Sequence, residues 1–175
     1  YLHYLEKLND NFYFGRFYTP SPISSETLLD SQAIDDSTRN AESDKNYLHQ
    51  GTGVQNFIFN RLDYLLWVKL QSKEEVSCGD KKYVSRKHSN FSFTTRSSVE
   101  HYYPQNPIDN NTKLEKQDDL PAGVDTFGNL CLISQGRNSQ LNNLLPNGKR
   151  DYYSKSTVVE SLKQTIMMSY NNWGP

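Results

Sequence analysis

The stretch VQNFIFNRLDYLLWVKLQ, residues 54–71, limits what this chain can fold into more than any other part of it. Val54, Phe57, Ile58, Leu62, Leu65 and Leu66 recur at helical spacing, and Phe59, Tyr64, Trp67 and Leu70 widen the stripe. An apolar face that broad predicts a helix covered on more than one side. The remaining elements must therefore wrap it. The chain of 175 residues is long enough for one domain or two small ones with a real core. A mean hydropathy of −0.81 marks it as polar. Its aromatic content, 13% with 12 Tyr and 8 Phe, still favours folding, because each ring buries a large area.

Around that helix the pattern changes several times. Tyr1, Tyr4, Leu5 and Leu8 fall on one face of a first helix, and the aromatic run 12–18 is interrupted by Gly15. Residues 21–32 read as a loop feeding a short helix with Ser24 or Ser25 as N-cap, and 35–53 as a polar loop. Phe91, Phe93 and Thr95 alternate with polar residues, which predicts a half-buried strand. Val99–Tyr103 predicts a second short strand, and FGNLCLIS, 127–134, a third. Between them lies a loop, 104–126, rich in Pro, Asn and Asp. Residues 135–150 predict a loop and a short helix. Residues 156–170 predict a closing helix with Ser156 as N-cap and Val159, Leu162, Ile166 and Tyr170 on one face.

Charge and cysteine content remove some functional classes. The net charge is −1, with −3 over residues 1–84 and +2 over 85–175, which permits a polyanionic partner without requiring one. Cys78 and Cys131 form no Cys-x-x-Cys, so a structural zinc knuckle is not expected, and nothing demands a disulfide. A reduced cytoplasmic protein is the plainer reading. No apolar run reaches the roughly 18–20 residues of a membrane span. The chain opens on Tyr1 inside what reads as a helix, so a fragment of a longer protein is expected. No glycine-rich phosphate loop occurs, so nucleotide hydrolysis by this piece is not expected.

The residues that carry chemistry lie in the second half. Glu100 and His101 close a strand before Tyr102-Tyr103-Pro104-Gln105. Gly128-Asn129-Leu130-Cys131-Leu132-Ile133 follows, then Arg137-Asn138, then Lys149 after LLPNG. A lone His is most often structural and a lone Asn after Gly is most often a turn residue. In this order, however, they resemble the HNH nucleases, also called His-Me finger or ββα-metal nucleases. The resemblance is to the branch at the C-terminal end of GmrSD-like type IV restriction proteins. Its motifs cover residues 98–150, and LDYLLWVK is similar to the segment preceding the nuclease there.

That resemblance implies an α+β, mostly helical fold in which a small ββα-metal finger, a two-stranded hairpin plus a helix, packs on flanking helices. It divides the chain into a helical lead-in over 1–84, a nuclease core over 85–155 and a C-terminal helix over 156–175. It implies His101 as the base that takes a proton from water, a task suited to imidazole. It implies Glu100 and Asn138 as oxygen ligands of Mg²⁺ or Mn²⁺, which hard donors suit. Asn129 would brace the histidine loop, and Arg137, Lys149 and Gln105 would contact DNA. The implied partners are DNA, modified DNA included, and a nucleotide-hydrolysing N-terminal module of the same protein. His88, beside Arg86 and Lys87, reads as a solvated loop residue rather than a phosphate contact, and His3 and His49 take no role. Tyr102, Tyr103 and Cys131 depart from the family pattern at positions without chemistry.

Two questions stay open at this level. Neighbouring strand residues face opposite ways. For Glu100 and His101 to serve one metal the strand must end or bulge near Pro104; otherwise Glu100 is a structural anchor. The second alternative is an HNH-like scaffold that binds nucleic acid and cuts nothing. A third is a structural or protein-interaction domain with a Tyr-rich contact surface.

Overall fold

In a computed structural model the chain divides into two units, Tyr1–His49 and Gln50–Pro175. The structure describes residues 1–17, 24, 26, 47–72, 76–78, 81–83, 89–109, 123–170 and 173. The expected helix near residue 24, most of the loop over 35–53, His88 and much of the loop over 104–126 lie outside them.

The first unit holds α1, Leu2–Phe17. Its backbone runs on through Gly15, where the sequence predicts a break; one glycine costs a helix only about 1 kcal/mol against alanine. Of the expected apolar face, Tyr1, Tyr4 and Leu5 are exposed and Leu8 is half-buried.

The second unit is the expected α+β arrangement. Helix α2, Asn56–Gln71, buries Ile58, Phe59, Asp63, Leu66 and Leu70. Leu65, placed in the main stripe by its spacing, is exposed. A hairpin that the sequence reading missed follows: β1, Val76–Cys78, pairs antiparallel with β2, Lys81–Tyr83. Next come β3, Ser98–His101, and β4, Leu130–Ile133, also antiparallel, with His101 opposite Leu130 and Glu100 opposite Cys131. Three helices close the unit: α3, Gln135–Leu141; α4, Pro146–Ser154; and α5, Leu162–Met168. Thus β3, β4 and α3 form the hairpin-plus-helix finger. Among the described residues no helix is long and apolar enough to cross a membrane.

Two expectations fail for identifiable reasons. Phe91–Thr95 has the alternation of a strand, but among the described residues no strand lies beside it and Phe91 alone bridges, to Val159. That bridge keeps Val159 out of the last helix. The helix begins instead at Ser161, whose Oγ accepts from Gln164 N at 3.2 Å. Glu160 is diverted too. Its carboxylate accepts from Ser134 N at 2.8 Å and Ser134 Oγ at 3.0 Å, at the N-cap of α3.

The core explains the order of packing. All four β4 residues are fully buried, which predicts the apolar run LCLI better than alternation would. One cluster joins Leu66, Leu70, Phe91, Val159, Leu162 and Ile166; the other joins Tyr102, Cys131, Ile133, Leu141, Tyr153 and Met167. Helix α5 feeds both through Ile166 and Met167. Burial pushes the Cys131 thiol far up and the Tyr102 hydroxyl up to about 12, so both stay neutral as core groups.

A polar knot ties the core's ends. Buried Arg96 pairs with Asp63 Oδ2 at 2.5 Å and donates to Glu160 O at 2.6 Å and Asn60 Oδ1 at 2.5 Å. Asp63 Oδ1 accepts from Lys163 N at 2.9 Å and Ser161 Oγ at 3.3 Å. Burial drives the Asp63 carboxyl up from its ordinary value, while the Lys163 N–H and Arg96 oppose that rise. Nearby, the Lys163 ammonium donates to the carbonyls of Phe127 and Leu130 and lies 3.6 Å from the Phe127 ring centre.

Candidate active site

Strand β3 ends at His101, but the pairing runs one step further: Tyr102 N donates to Asn129 O at 2.9 Å, the next pair in the β3–β4 register, and only at Tyr103 does the Asn129 side chain replace the backbone partner. The alternation of burial continues through this step, with Glu100 buried, His101 half-buried and Tyr102 buried. Glu100 and His101 therefore point to different sides, as strand geometry requires. Both still border one cleft of about 370 Å³, with Pro104 and Gln105 on one rim and Asn138, Ser139 and Asn142 on the other.

On the inner side, Lys149 of α4 is fully buried. Its Nζ lies 2.5 Å from Glu100 Oε1 and donates to His101 O at 2.5 Å. The two side chains form a buried ion pair. Burial raises the Glu100 carboxyl above its ordinary 4.5, and the charge of Lys149 works against that rise.

On the outer side, His101 Nε2 lies 2.8 Å from Asp125 Oδ1, and Gln105 Nε2 donates to the same oxygen at 2.9 Å. Asp125 closes a short 3₁₀ turn, Gly123–Asp125. The sequence reading missed it: one acid inside an acid-bearing loop gives no sign of which will meet the imidazole.

Asn129 braces this arrangement from below. Its Oδ1 accepts from Tyr103 N at 2.7 Å and Trp173 Nε1 at 3.0 Å. Its Nδ2 donates to Tyr103 O at 2.9 Å and Val124 O at 2.8 Å. One side chain thus clasps the segment after His101 and the residue before Asp125. Trp173, also missed, stacks edge-on against Tyr102.

Asn138 enters from α3, with Nδ2 donating to Ser98 Oγ at 2.7 Å and Val99 O at 3.3 Å. Arg137, one residue earlier, is engaged elsewhere. It packs over the rings of Tyr152 and Tyr153, donates to Tyr152 Oη at 2.8 Å, and lies 3.6 Å from Glu160. The structure therefore brings Glu100, His101, Asn138 and Gln105 to one cleft and sets Asn129 beneath it. It encloses Lys149 behind Glu100 and holds Arg137 against two tyrosines.

For a cation, no cluster of three or more His, Cys, Asp or Glu side chains that could hold a metal occurs among the described residues. The cleft offers a carboxylate and an amide instead. Glu100, whose Oε1 is paired with Lys149, and the Asn138 amide are oxygen donors of the type a hard divalent ion takes.

The fold and site together are those of a small hairpin-plus-helix finger, with a carboxylate-held histidine at the strand end and an asparagine on the helix. The chain belongs to the family of the C-terminal domain of GmrSD restriction endonucleases, whose model matches residues 32–175. No curated protein and no solved structure matches it significantly.

Proposed function

We propose that the chain is the nuclease part of a restriction endonuclease, and that it hydrolyses DNA phosphodiester bonds by HNH-type, metal-dependent chemistry. The observation that carries this reading is the shared cleft. A histidine fixed by a carboxylate borders the same open space as the Glu100 carboxylate, which is paired with Lys149, and an asparagine amide. His101 takes the proton from a water, whose oxygen attacks phosphorus. Glu100 and Asn138 hold Mg²⁺ or Mn²⁺, which when bound supplies charge stabilisation to the phosphate and leaving oxygen. Asn129 holds the histidine loop in place. Gln105 stands at the rim, within reach of a nucleic-acid backbone. Lys149 acts through Glu100 and the His101 carbonyl. A role for Arg137 on phosphate asks it to leave Tyr152.

The natural substrate in this reading is DNA, modified DNA included, with a further module of the same protein supplying recognition and nucleotide hydrolysis. The closed Glu100–Lys149 pair favours a second reading, a scaffold that binds nucleic acid without cutting. A nicking assay separates the two. Supercoiled plasmid and modified phage DNA are incubated with the chain and Mg²⁺ or Mn²⁺, beside EDTA and His101→Ala. The nuclease reading expects metal-dependent nicking that the variant loses. Nicking that survives in His101→Ala would refute the role of the base. No nicking, with no metal binding by calorimetry, supports the scaffold.

A further inference from the structure

A carboxylate outside the sequence motif holds the imidazole of His101. Asp125 Oδ1 receives two contacts, from His101 Nε2 at 2.8 Å and Gln105 Nε2 at 2.9 Å. An ionised carboxylate only accepts hydrogen bonds, so a neutral imidazole facing Asp125 directs its N–H from Nε2 to the carboxylate and leaves Nδ1 as the basic nitrogen. The turn bearing Asp125 is itself fixed from two directions. Asn129 Nδ2 holds the carbonyl of Val124 at 2.8 Å. Buried Gly51 presses against Asp125 from the other side: a Cβ on Gly51 would stand 3.2 Å from Asp125 Cβ. Gly51 also has φ +58°, which glycine alone adopts without strain. A surface acid needs no such seating.

We infer that Asp125 is a positioning residue for the reaction: it fixes the ring orientation and tautomer of His101, so that Nδ1 is the atom that receives the proton. The inference rests on the nuclease reading. In the step it serves, one water O–H bond breaks and its proton goes to Nδ1. The water oxygen bonds to phosphorus, and the leaving ester oxygen keeps the broken P–O pair and takes a proton from solvent. Carboxylates that orient a working imidazole act in this way without touching substrate.

The test uses the full chain labelled with ¹⁵N-histidine, with the His101 signals assigned by their loss in His101→Ala. The wild type is expected to show hydrogen on Nε2, protected from exchange, and a bare Nδ1. Asp125→Ala loses that protection while its melting temperature is unchanged. Nicking is expected to fall about 10–100-fold in kcat for Asp125→Ala, the usual cost of losing such a partner. KM for DNA and metal affinity by calorimetry stay unchanged. Asp125→Asn, which keeps an acceptor oxygen and the shape, falls in between. Hydrogen on Nδ1 in the wild type overturns the inference. So does an unchanged kcat in Asp125→Ala, or a loss confined to KM or metal affinity. A wild type that cuts indifferently to Asp125 sinks this inference alone. A wild type that never cuts sinks the nuclease reading and this inference with it.

Discussion

Replacing Asn129 with alanine removes four hydrogen bonds at one buried position: two accepted, from Tyr103 N and Trp173 Nε1, and two donated, to Tyr103 O and Val124 O. Each is worth about 1 kcal/mol net, and any group left buried without a partner costs about 1–3 kcal/mol more. Tyr103 is half-buried, so water can reach part of its backbone. The expected loss is therefore about 3–5 kcal/mol, at the large end for single substitutions. Asn129→Asp is expected to be no better, since a carboxylate oxygen would then face the carbonyls of Tyr103 and Val124. Urea unfolding checks the magnitude through the midpoint at constant slope. Nicking is then measured at a temperature where the variant is still folded, and it is expected to fall, because both flanks of the His101–Asp125 contact are released. A loss of less than 1 kcal/mol, or full nicking by a destabilised variant, would refute the argument that this side chain ties stability and site geometry together.

Two further outcomes are expected. Lys149→Met leaves the Glu100 charge buried without its partner and should cost about 3–5 kcal/mol at pH 7. The deficit shrinks as the pH falls and Glu100 takes a proton, and Glu100→Gln in the same chain restores most of the stability; thermal melts across pH 5–8 read both. Burial lowers the Lys163 amine from its ordinary 10.5 to about 8, so between these values the unfolded chain binds more protons and stability rises with pH. That contribution, worth about 3 kcal/mol at most, is lost as the pH falls through 8. Lys163→Met should flatten the slope between about pH 8 and 9, below the range where the Cys131 thiol and the Tyr102 hydroxyl act with the opposite sign; an unchanged slope in denaturant titrations would exclude Lys163 as its source.

The parts of the fold that were legible in the sequence are those whose burial is dictated along a single element. Helix α2 announced itself by its stripe, β4 by its unbroken apolar run, and the end of β3 by Pro104. What was not legible depends on a partner distant in sequence. Phe91–Thr95 alternates correctly, yet among the described residues no strand lies beside it, and Val159 is drawn off to meet Phe91. The β1–β2 hairpin has strands of three residues, too short for a period to register. In the site, Asn129 could be singled out in the sequence, but its four side-chain partners, on Tyr103, Val124 and Trp173, could not. The enclosure of Lys149 behind Glu100 was hidden, because a lysine after a glycine reads as exposed until α4 folds over it. Asp125 and Trp173 were invisible for the same reason: their partners are 24 and 44 residues away.

The knot around Asp63 also has a consequence for the order in which the molecule assembles. Its carboxylate meets groups 33, 98 and 100 residues further along the chain. Contacts of such span close late, since the long loops between them must be brought together first. During synthesis, then, α2 leaves the ribosome with a charged residue at its centre and no partner for it. The finger that bears His101 emerges before α5 does. Only when Ser161 and Lys163 arrive can the two ends lock, so the cleft acquires its final support among the last events of folding.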